Sequence, residues 1–134
     1  MGQKVNPHGL RVGVIKDWDS RWYARNDKVG DLIVEDYKVR RFLKSTLKDA
    51  GVPKIEIERD SNKVRIYIHC SRPGLVIGKG GAEIEKLQAQ VAKLIGKPVA
   101  LSIVEVRTPD TNAQLVAENI AGQLERRIGF RRAM

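Results

Sequence analysis

The chain has 134 residues, of which 42% are hydrophobic, 31% charged and 5% aromatic, and its formal net charge is +9. The length fits one domain with an arm, the single cysteine excludes an internal disulfide, and no apolar run approaches the roughly 18 residues that span a bilayer. We therefore expect a reducing, cytoplasmic setting without a membrane, in which the positive charge either attracts a polyanion such as nucleic acid or merely aids solubility.

The first 29 residues are predicted to form an arm. They contain three glycines and show no sustained helical or strand period. Trp18, Trp22 and Tyr23 cluster within this arm. These aromatic side chains must pin the arm either to the body of its own domain or to a partner, and the sequence leaves both possibilities open.

A helix is predicted from Gly30, with Asp31 as its N-terminal cap and Gly51 at its end. Its inward face follows helical spacing and comprises Val39, Phe42, Leu43, Thr46, Leu47 and Ala50. The opposite face holds Lys38, Arg41, Lys44, Lys48 and, at its edge, Arg40. These cations are either simply solvated or face a negatively charged partner.

Two alternating segments after Pro53 predict a β-hairpin. "KIEIER" places Ile55 and Ile57 on one face, and "DSN" supplies a turn. In the next segment, "KVRIYIHC", the residues that share the inward face are Val64, Ile66, Ile68 and Cys70. The hairpin should be antiparallel with one face in water.

The glycine stretch lies between two predicted helices. Pro73 opens "PGLVI", a single turn of apolar helix at most, and three glycines follow within Gly78–Gly81. A second helix begins near Ala82 and stops at Gly96.

The last two predicted elements are a strand and a helix. "VALSIVEV" has few polar residues on either face, so we place this strand deeper in the sheet. The helix starts around Pro109 and ends at Gly129, close to a group of arginines near the chain end.

This order of elements predicts an α+β fold with two layers, in which a three-stranded sheet carries the helices on one face. We divide the chain into an N-terminal arm (1–29), the α+β domain (30–107) and a C-terminal helix with a basic segment (108–134).

The glycine stretch can be compared with three phosphate-binding loops. The Walker loop is excluded, because the spacing from Gly74 is one residue short and glycine replaces the required Ser or Thr. The dinucleotide fingerprint is excluded, because Glu83 occupies its third glycine. The remaining G-x-x-G pattern is either a plain turn with positive φ angles or a KH loop, whose glycines admit an RNA backbone while Lys79 meets a phosphate.

Several motifs resemble a known family. "RPGLVIGKGGAEIEKL" resembles the G-x-x-G region of type II KH domains, and the predicted α-β-β-α-α-β order from Asp31 to Val106 matches that type. "MGQKVNPHGLRVG", "DWDSRWYA" and "VAENIAGQLERRIGFRRAM" resemble the opening, the arm and the closing helix of the bacterial and organellar small-subunit ribosomal protein S three family. The resemblance covers essentially the whole chain, and its end motifs are more specific than the KH loop.

The resemblance implies a non-enzymatic, structural protein that binds 16S-type rRNA in the head of the small subunit, near the mRNA entrance. It also implies contacts with neighbouring small-subunit proteins, notably the tenth and fourteenth, in a cytoplasmic or organellar ribosome. The RNA-binding residues that we expect are Gly78, Lys79, Gly80, Gly81, Arg72, Lys86, Arg126, Arg127, Arg131, Arg132, Lys4 and Arg11.

Arg131 and Arg132 match the segment of the family that faces incoming mRNA. The family continues into a second α/β domain that completes this surface, whereas this sequence stops at "FRRAM". We therefore expect the sequence to be part of a longer protein, and the mRNA contact depends on the part that is missing.

No enzyme is predicted. His69 and Cys70 are adjacent in a strand, so their side chains point to opposite faces, and we find no carboxylate pair, metal-ligand cluster or cofactor motif. The alternative to a ribosomal role is a KH-type RNA-binding module of another RNA-associated protein, such as a GTPase tether or a transcription factor. A membrane-surface role is disfavoured, because no helix pairs a strong apolar face with a dense lysine face.

Overall fold

The computed structural model describes residues 2–134, so Met1, the first residue of the predicted arm, lies outside the described residues. The helices are α1 (Pro7–Arg11), α2 (Asn26–Thr46), α3 (Pro73–Ile77), α4 (Ala82–Ile95), α5 (Ala113–Glu125) and α6 (Phe130–Ala133). The strands are β1 (Ser20–Arg21), β2 (Lys54–Arg59), β3 (Val64–Cys70) and β4 (Val99–Glu105). Within residues 2–134, no helix combines the length and the apolar character that crossing a membrane requires.

Four strands form one sheet in the order β1-β2-β3-β4. Strands β2 and β3 form the predicted antiparallel hairpin, in which Ile57 lies opposite Ile66, and β3 pairs in parallel with β4. The prediction of three strands was one short, because Ser20 and Arg21 of the arm add β1 in parallel to β2. A strand of two residues has no readable period, so only its tertiary contacts reveal it.

The core lies between one face of the sheet and the helices α2, α3 and α4. Alternation along β2 and β3 directs every second side chain inward, as the sequence predicts. The largest fully buried side chains are Leu43, Ile57, Ile66, Ile68, Val39, Val64, Val76, Val91 and Cys70. Since the helices cover this face and the other face is mostly polar, the predicted two-layer α+β class is confirmed.

Helix α2 begins earlier than predicted, at Asn26 rather than near Gly30, so the predicted cap Asp31 lies inside the helix. An acidic residue in the first turn supports this earlier start, because a carboxylate interacts favourably with the positive end of the helix dipole. A 3-10 turn over Lys48–Ala50 follows the helix, and Gly51 ends it with a φ of 63°, as expected for a glycine cap.

The placement of β4 deep in the sheet was wrong, because β4 is the edge strand next to β3. Its inward residues Val99, Leu101 and Ile103 pack against the core. Ala100 and Val104, on the other face, are exposed. Because these solvent-exposed residues are apolar, the sequence of β4 has the same pattern as a strand that is buried on both sides.

The arm is attached to the body by a buried carboxylate, that of Asp36 on α2. Asp36 Oδ2 accepts a hydrogen bond from Trp22 Nε1 at 2.9 Å and another from Ser20 Oγ at 3.0 Å. Asp36 Oδ1 accepts two bonds from the Arg59 guanidinium. We call Ser20, Trp22, Asp36 and Arg59 the arm clamp. It answers the question that the sequence left open, because Trp22 pins the arm to its own domain.

Arg40 strengthens this attachment and is not solvated at the edge of a basic face. Its guanidinium donates to the carbonyl oxygens of Ile55 and Asp19 and to Ser20 Oγ, the latter two at 2.9 and 2.8 Å. Ile57 N–H also donates to the Asp19 carbonyl at 2.9 Å. The start of β1 is therefore held from the sheet and from α2 together.

Helix α5 lies beside the end of α2 and does not enter the core. Asn112 caps it by accepting from the amides of Gln114 and Leu115, and it ends at Glu125 rather than near Gly129. No residue of α5 is fully buried in the described part of the chain. An ion pair between Lys44 and Glu118, at 2.8 Å, links α5 to α2.

Candidate nucleic-acid interface

The glycine stretch forms a sharp turn between α3 and α4. Gly78 follows the last residue of α3 with φ 70° and ψ −174°, and a 3-10 turn over Lys79–Gly81 leads into α4. Gly80 and Gly81 have φ angles of 64° and 86°. L-residues with side chains rarely adopt such angles, so the backbone conformation alone favours glycine at all three positions.

Gly78 has a second reason to be glycine. A Cβ atom at this position would lie 2.5 Å from Glu83 Cγ and 2.9 Å from Glu83 Cβ, which is too close for any real contact. Beside Gly80 and Gly81, by contrast, nothing lies within 4 Å. The turn is therefore tight on the side that faces α4 and open on the side that faces solvent, where another molecule can approach the backbone.

The charges around this turn are of both signs. Lys79 is exposed at the tip, and among residues 2–134 it makes no ion pair. Glu83 and Glu85 stand in the first turn of α4, where they would repel a phosphate, but Lys86 Nζ lies 3.2 Å from Glu83 Oε1 and offsets one of them. Lys79 is thus the cation that is available to an anion at the tip.

Arg72 precedes α3 and lies near the turn in sequence, but its guanidinium points to the other end of that helix. Its Nη1 donates weakly to the Asp49 carbonyl, at 3.5 Å. A groove of about 580 Å³ between the end of α2 and α5 is lined by both Arg72 and Arg126. The structure therefore brings together two predicted residues that are far apart in the sequence, although Asp110 and Glu118 line the same groove.

The other predicted arginines lie at the end of the chain. Arg127 has a φ of 60°, which is unusual for a residue with a side chain and turns the backbone away from α5. Arg131 and Arg132 are exposed on α6, with the Arg131 guanidinium carbon 5.9 Å from the centre of the Phe130 ring. These residues form a basic end to the chain that is separate from the glycine turn.

Lys4 and Arg11 lie in the part of the arm before β1. Both are exposed, and the Arg11 guanidinium donates to the Pro7 carbonyl, at 3.3 Å, within α1. Large apolar side chains of this segment are also exposed, namely Val5, Leu10, Val14 and Ile15. The arm joins the sheet at β1, whereas α4 contacts β4 at the opposite edge, so the structure does not bring these residues to the glycine turn.

The predicted separation of His69 and Cys70 is confirmed. Cys70 is buried in the core, and this burial, with the nearby Glu105 charge, raises the pKa of its thiol. His69 lies on the polar face of the sheet, where its Nε2 is 3.6 Å from Glu56 Oε1. The two side chains therefore cannot act as a nucleophile and its base.

Two determinants of the interface escaped the sequence interpretation. Glu83 fills the space beside Gly78, and only its position at the start of α4 hints at this contact. The arm clamp fixes the point at which the arm that carries Lys4 and Arg11 leaves the sheet. In the sequence, the sign of this clamp was Asp36, an acidic residue at an inward position of a helix.

Comparison with known proteins gives two consistent results. Residues 38–111 match the KH domain family, and this match runs from within α2 to the turn after β4. The whole chain is 65% identical over 134 residues to the small ribosomal subunit protein uS3 of Agathobacter rectalis and 61% identical over 135 residues to that of Clostridioides difficile. It spans 61% and 50% of those two proteins. The chain therefore belongs to the KH domain family, and along its full length it is similar to small ribosomal subunit proteins uS3.

Proposed function

We propose that the chain is a non-enzymatic, structural component of the small ribosomal subunit that binds rRNA. The observation that carries this proposal is the similarity of every part of the chain, including the arm and the terminal arginines, to ribosomal proteins. A KH module of a GTPase or a transcription factor would share the KH region alone. The net charge of +9 agrees with a polyanionic partner that touches several surfaces.

The glycine turn is the proposed contact with the RNA backbone. Its open side exposes Gly80 and Gly81, so a sugar-phosphate chain can lie against the main chain without meeting a Cβ atom. The amides of the first turn of α4 have no side-chain cap and point toward this side. Lys79 then supplies the positive charge, and Lys86 reduces the repulsion from Glu83.

Basic residues elsewhere complete the proposed RNA surface. Lys4 and Arg11 reach RNA from the arm, while Arg72 and Arg126 face it across the groove beside α5. Arg127, Arg131 and Arg132 extend this surface at the end of the chain. The division into an arm (1–29), a KH domain (30–107) and a C-terminal helix (108–134) is part of the same proposal.

The finer placement follows from the family resemblance and remains a proposal. The partner RNA is 16S-type rRNA in the head of the subunit near the mRNA entrance, in a cytoplasmic or organellar ribosome. The tenth and fourteenth proteins of the subunit are the proposed protein neighbours. Contact of Arg131 and Arg132 with incoming mRNA is part of the same proposal.

A charge reversal at the turn tests the RNA contact. Lys79→Asp with Gly80→Asp should lower the affinity for a transcript of the 16S rRNA head at least roughly tenfold in filter binding, because charge-assisted contacts are lost. Aspartate tolerates the left-handed backbone at Gly80, so the fold should persist.

The other end of α4 offers a matched control. Gly96 has φ 72° and ψ 15°, close to the 64° and 15° of Gly80, and its surroundings are equally open. Gly96→Asp with Lys97→Asp therefore makes the same change in charge on the same type of backbone. Equal affinity of both double variants would show that the glycine turn holds no RNA.

A further inference from the structure

The outer side of α2 exposes three large apolar residues. Ile33, Val34 and Tyr37 are 55%, 50% and 62% exposed, although the helix buries Val39 and Leu43 on its inner side. Helices that only cover a core usually carry polar residues on the outer side. These three residues therefore mark a surface that the described part of the chain does not cover.

The same side of α2 becomes positively charged toward its end. Residues three or four positions apart share one side of a helix, and the series continues from Tyr37 through Arg41 and Lys44, and then to Lys48 in the following turn. We call Ile33, Val34, Tyr37, Arg41, Lys44 and Lys48 the α2 stripe.

Most of this charge has no partner in the described chain. Lys44 pairs with Glu118, but Arg41 and Lys48 are exposed and make no ion pair among residues 2–134. The acidic residues Asp27 and Asp31 lie at the N-terminal end of the helix, ten or more positions before Arg41, which at 1.5 Å per residue is about 15 Å or more along the axis. The stripe thus presents apolar area at one end and uncompensated positive charge at the other.

We propose that the α2 stripe binds a protein segment whose apolar side chains cover Ile33, Val34 and Tyr37 and whose carboxylates face Arg41 and Lys48. RNA fits this surface less well, because two aliphatic side chains gain nothing from phosphates and do not stack on bases. A protein segment can contact both the apolar and the charged part of the stripe, since protein interfaces combine an apolar centre with complementary charges at the rim. The proposal rests on the ribosomal role proposed above, because the partner is a neighbour in the same particle.

Photocrosslinking in the assembled particle tests the identity of the partner. The full-length protein carries p-benzoylphenylalanine in place of Val34, or in place of Lys93 on α4 as a control, and small subunits that contain it are purified and irradiated. The expected adduct at position 34 joins a protein segment in which Asp or Glu adjoins apolar residues. An adduct with rRNA, or no adduct above the control, overturns the proposal.

Charge reversal on the stripe tests whether carboxylates of the partner pair with its cations. Arg41→Glu with Lys48→Glu should reduce the yield of the position-34 adduct roughly tenfold, as expected for the loss of two complementary charges. Lys93→Glu with Lys97→Glu makes the same change of charge at the end of α4, outside the α2 stripe, and should leave the yield unchanged. Equal loss in both pairs contradicts the proposed charge pairing.

The outcome separates this inference from the ribosomal role. If the labelled protein is absent from purified small subunits, both proposals fail. If it is present and position 34 finds no acidic protein segment, only the proposal for the α2 stripe fails.

Discussion

The Asp36 carboxylate and the Arg59 guanidinium form a bidentate pair, in which Oδ1 accepts from Nε at 2.9 Å and from Nη2 at 2.6 Å. Both side chains are only 6% exposed. Burial of such a pair costs solvation, but removal of one partner leaves the other charge buried and uncompensated. Because the same carboxylate accepts from Trp22 and Ser20, substitution of Asp36 removes this pair and two contacts of the arm together.

Asp36→Asn should lower the free energy of unfolding by about 2 kcal/mol, because the amide keeps the shape but removes the buried charge that Arg59 faces and leaves it with the more exposed Glu35, 2.9 Å from Nη1. Urea denaturation measures this loss. Asp31→Asn, at an exposed position of the same helix, should change stability by less than about 0.5 kcal/mol. If Asp36→Asn were as stable as the wild type, the arm clamp would not contribute to the fold.

Trp22→Phe should loosen β1 without unfolding the domain. The substitution removes the indole N–H that donates to Asp36 and costs about 1 kcal/mol. Ile57 N–H, which donates to the Asp19 carbonyl at the start of β1, should then exchange with deuterium faster than in the wild type. The Ile68 amide in the centre of the sheet serves as the control, and a parallel change at both positions would mean global destabilisation instead.

Gly78→Ala should destabilise the protein more than Gly80→Ala. Both φ angles are positive, at 70° and 64°, but Gly80 lies in the left-handed region, where alanine costs about 1 kcal/mol, whereas Gly78, with a ψ of −174°, lies in a region that is almost restricted to glycine. Only at Gly78 does the new Cβ also meet Glu83, at 2.5 Å from Cγ. Thermal unfolding of the two variants and of Gly78→Ala with Glu83→Ala measures the difference. Without partial rescue in the double variant, the close contact with Glu83 is not the cause.

Acidification should destabilise the wild type more than a Glu56→Gln variant. The hydrogen bond from Lys54, opposed by partial burial and aided by the charges of Lys54 and Arg21, lowers the pKa of Glu56. Because its folded pKa lies below the unfolded value of about 4.3, the ionised carboxylate stabilises the fold above that pH, and this contribution disappears as the pH falls through the folded pKa.

Denaturation curves between about pH 6 and pH 3 measure this effect, which should stay below about 1 kcal/mol for a pair near the surface. Glu85→Gln, at an exposed position of α4, is the control and should follow the wild type. A Glu56→Gln curve parallel to that of the wild type would refute the assignment.

RNA affinity should fall steeply with salt. Each phosphate that a single strand contributes adds a slope of about −0.7 to the logarithmic plot of affinity against salt concentration. Lys79→Ala should therefore make the slope shallower by about 0.7, whereas Lys97→Ala should not. Titrations at several salt concentrations test this, and a flat response of the wild type would indicate a protein partner in place of RNA.

Alternation predicted the parts of the fold in which pattern and burial coincide. Val64, Ile66, Ile68 and Cys70 are buried as expected, because each faces helices on one side of the sheet. The same reasoning failed for β4, since Ala100 and Val104 are apolar but exposed. Side-chain polarity reports a preference for burial, whereas the position of a strand in its sheet depends on partners that are distant in the sequence.

The candidate site was predictable as a motif but not as a set of contacts. The glycine turn lies between two helices as its spacing suggests, and Gly80 and Gly81 have the expected positive φ angles. The contact between Gly78 and Glu83 depends on the angle at which α4 leaves the turn. The strand β1 depends on a contact with the buried Asp36, and a strand of only two residues shows no pattern from which this contact could be predicted.

The arm clamp also fixes how far the N-terminal cations can travel. Residues 2–18 precede the anchored strand, so even when fully extended they reach at most roughly 60 Å from the β1 edge of the sheet. Lys4 and Arg11 are thus tethered at a high effective concentration beside any molecule that the body already holds. Breaking the clamp would lengthen this tether and weaken the avidity of the whole chain, although no residue that touches the partner had changed.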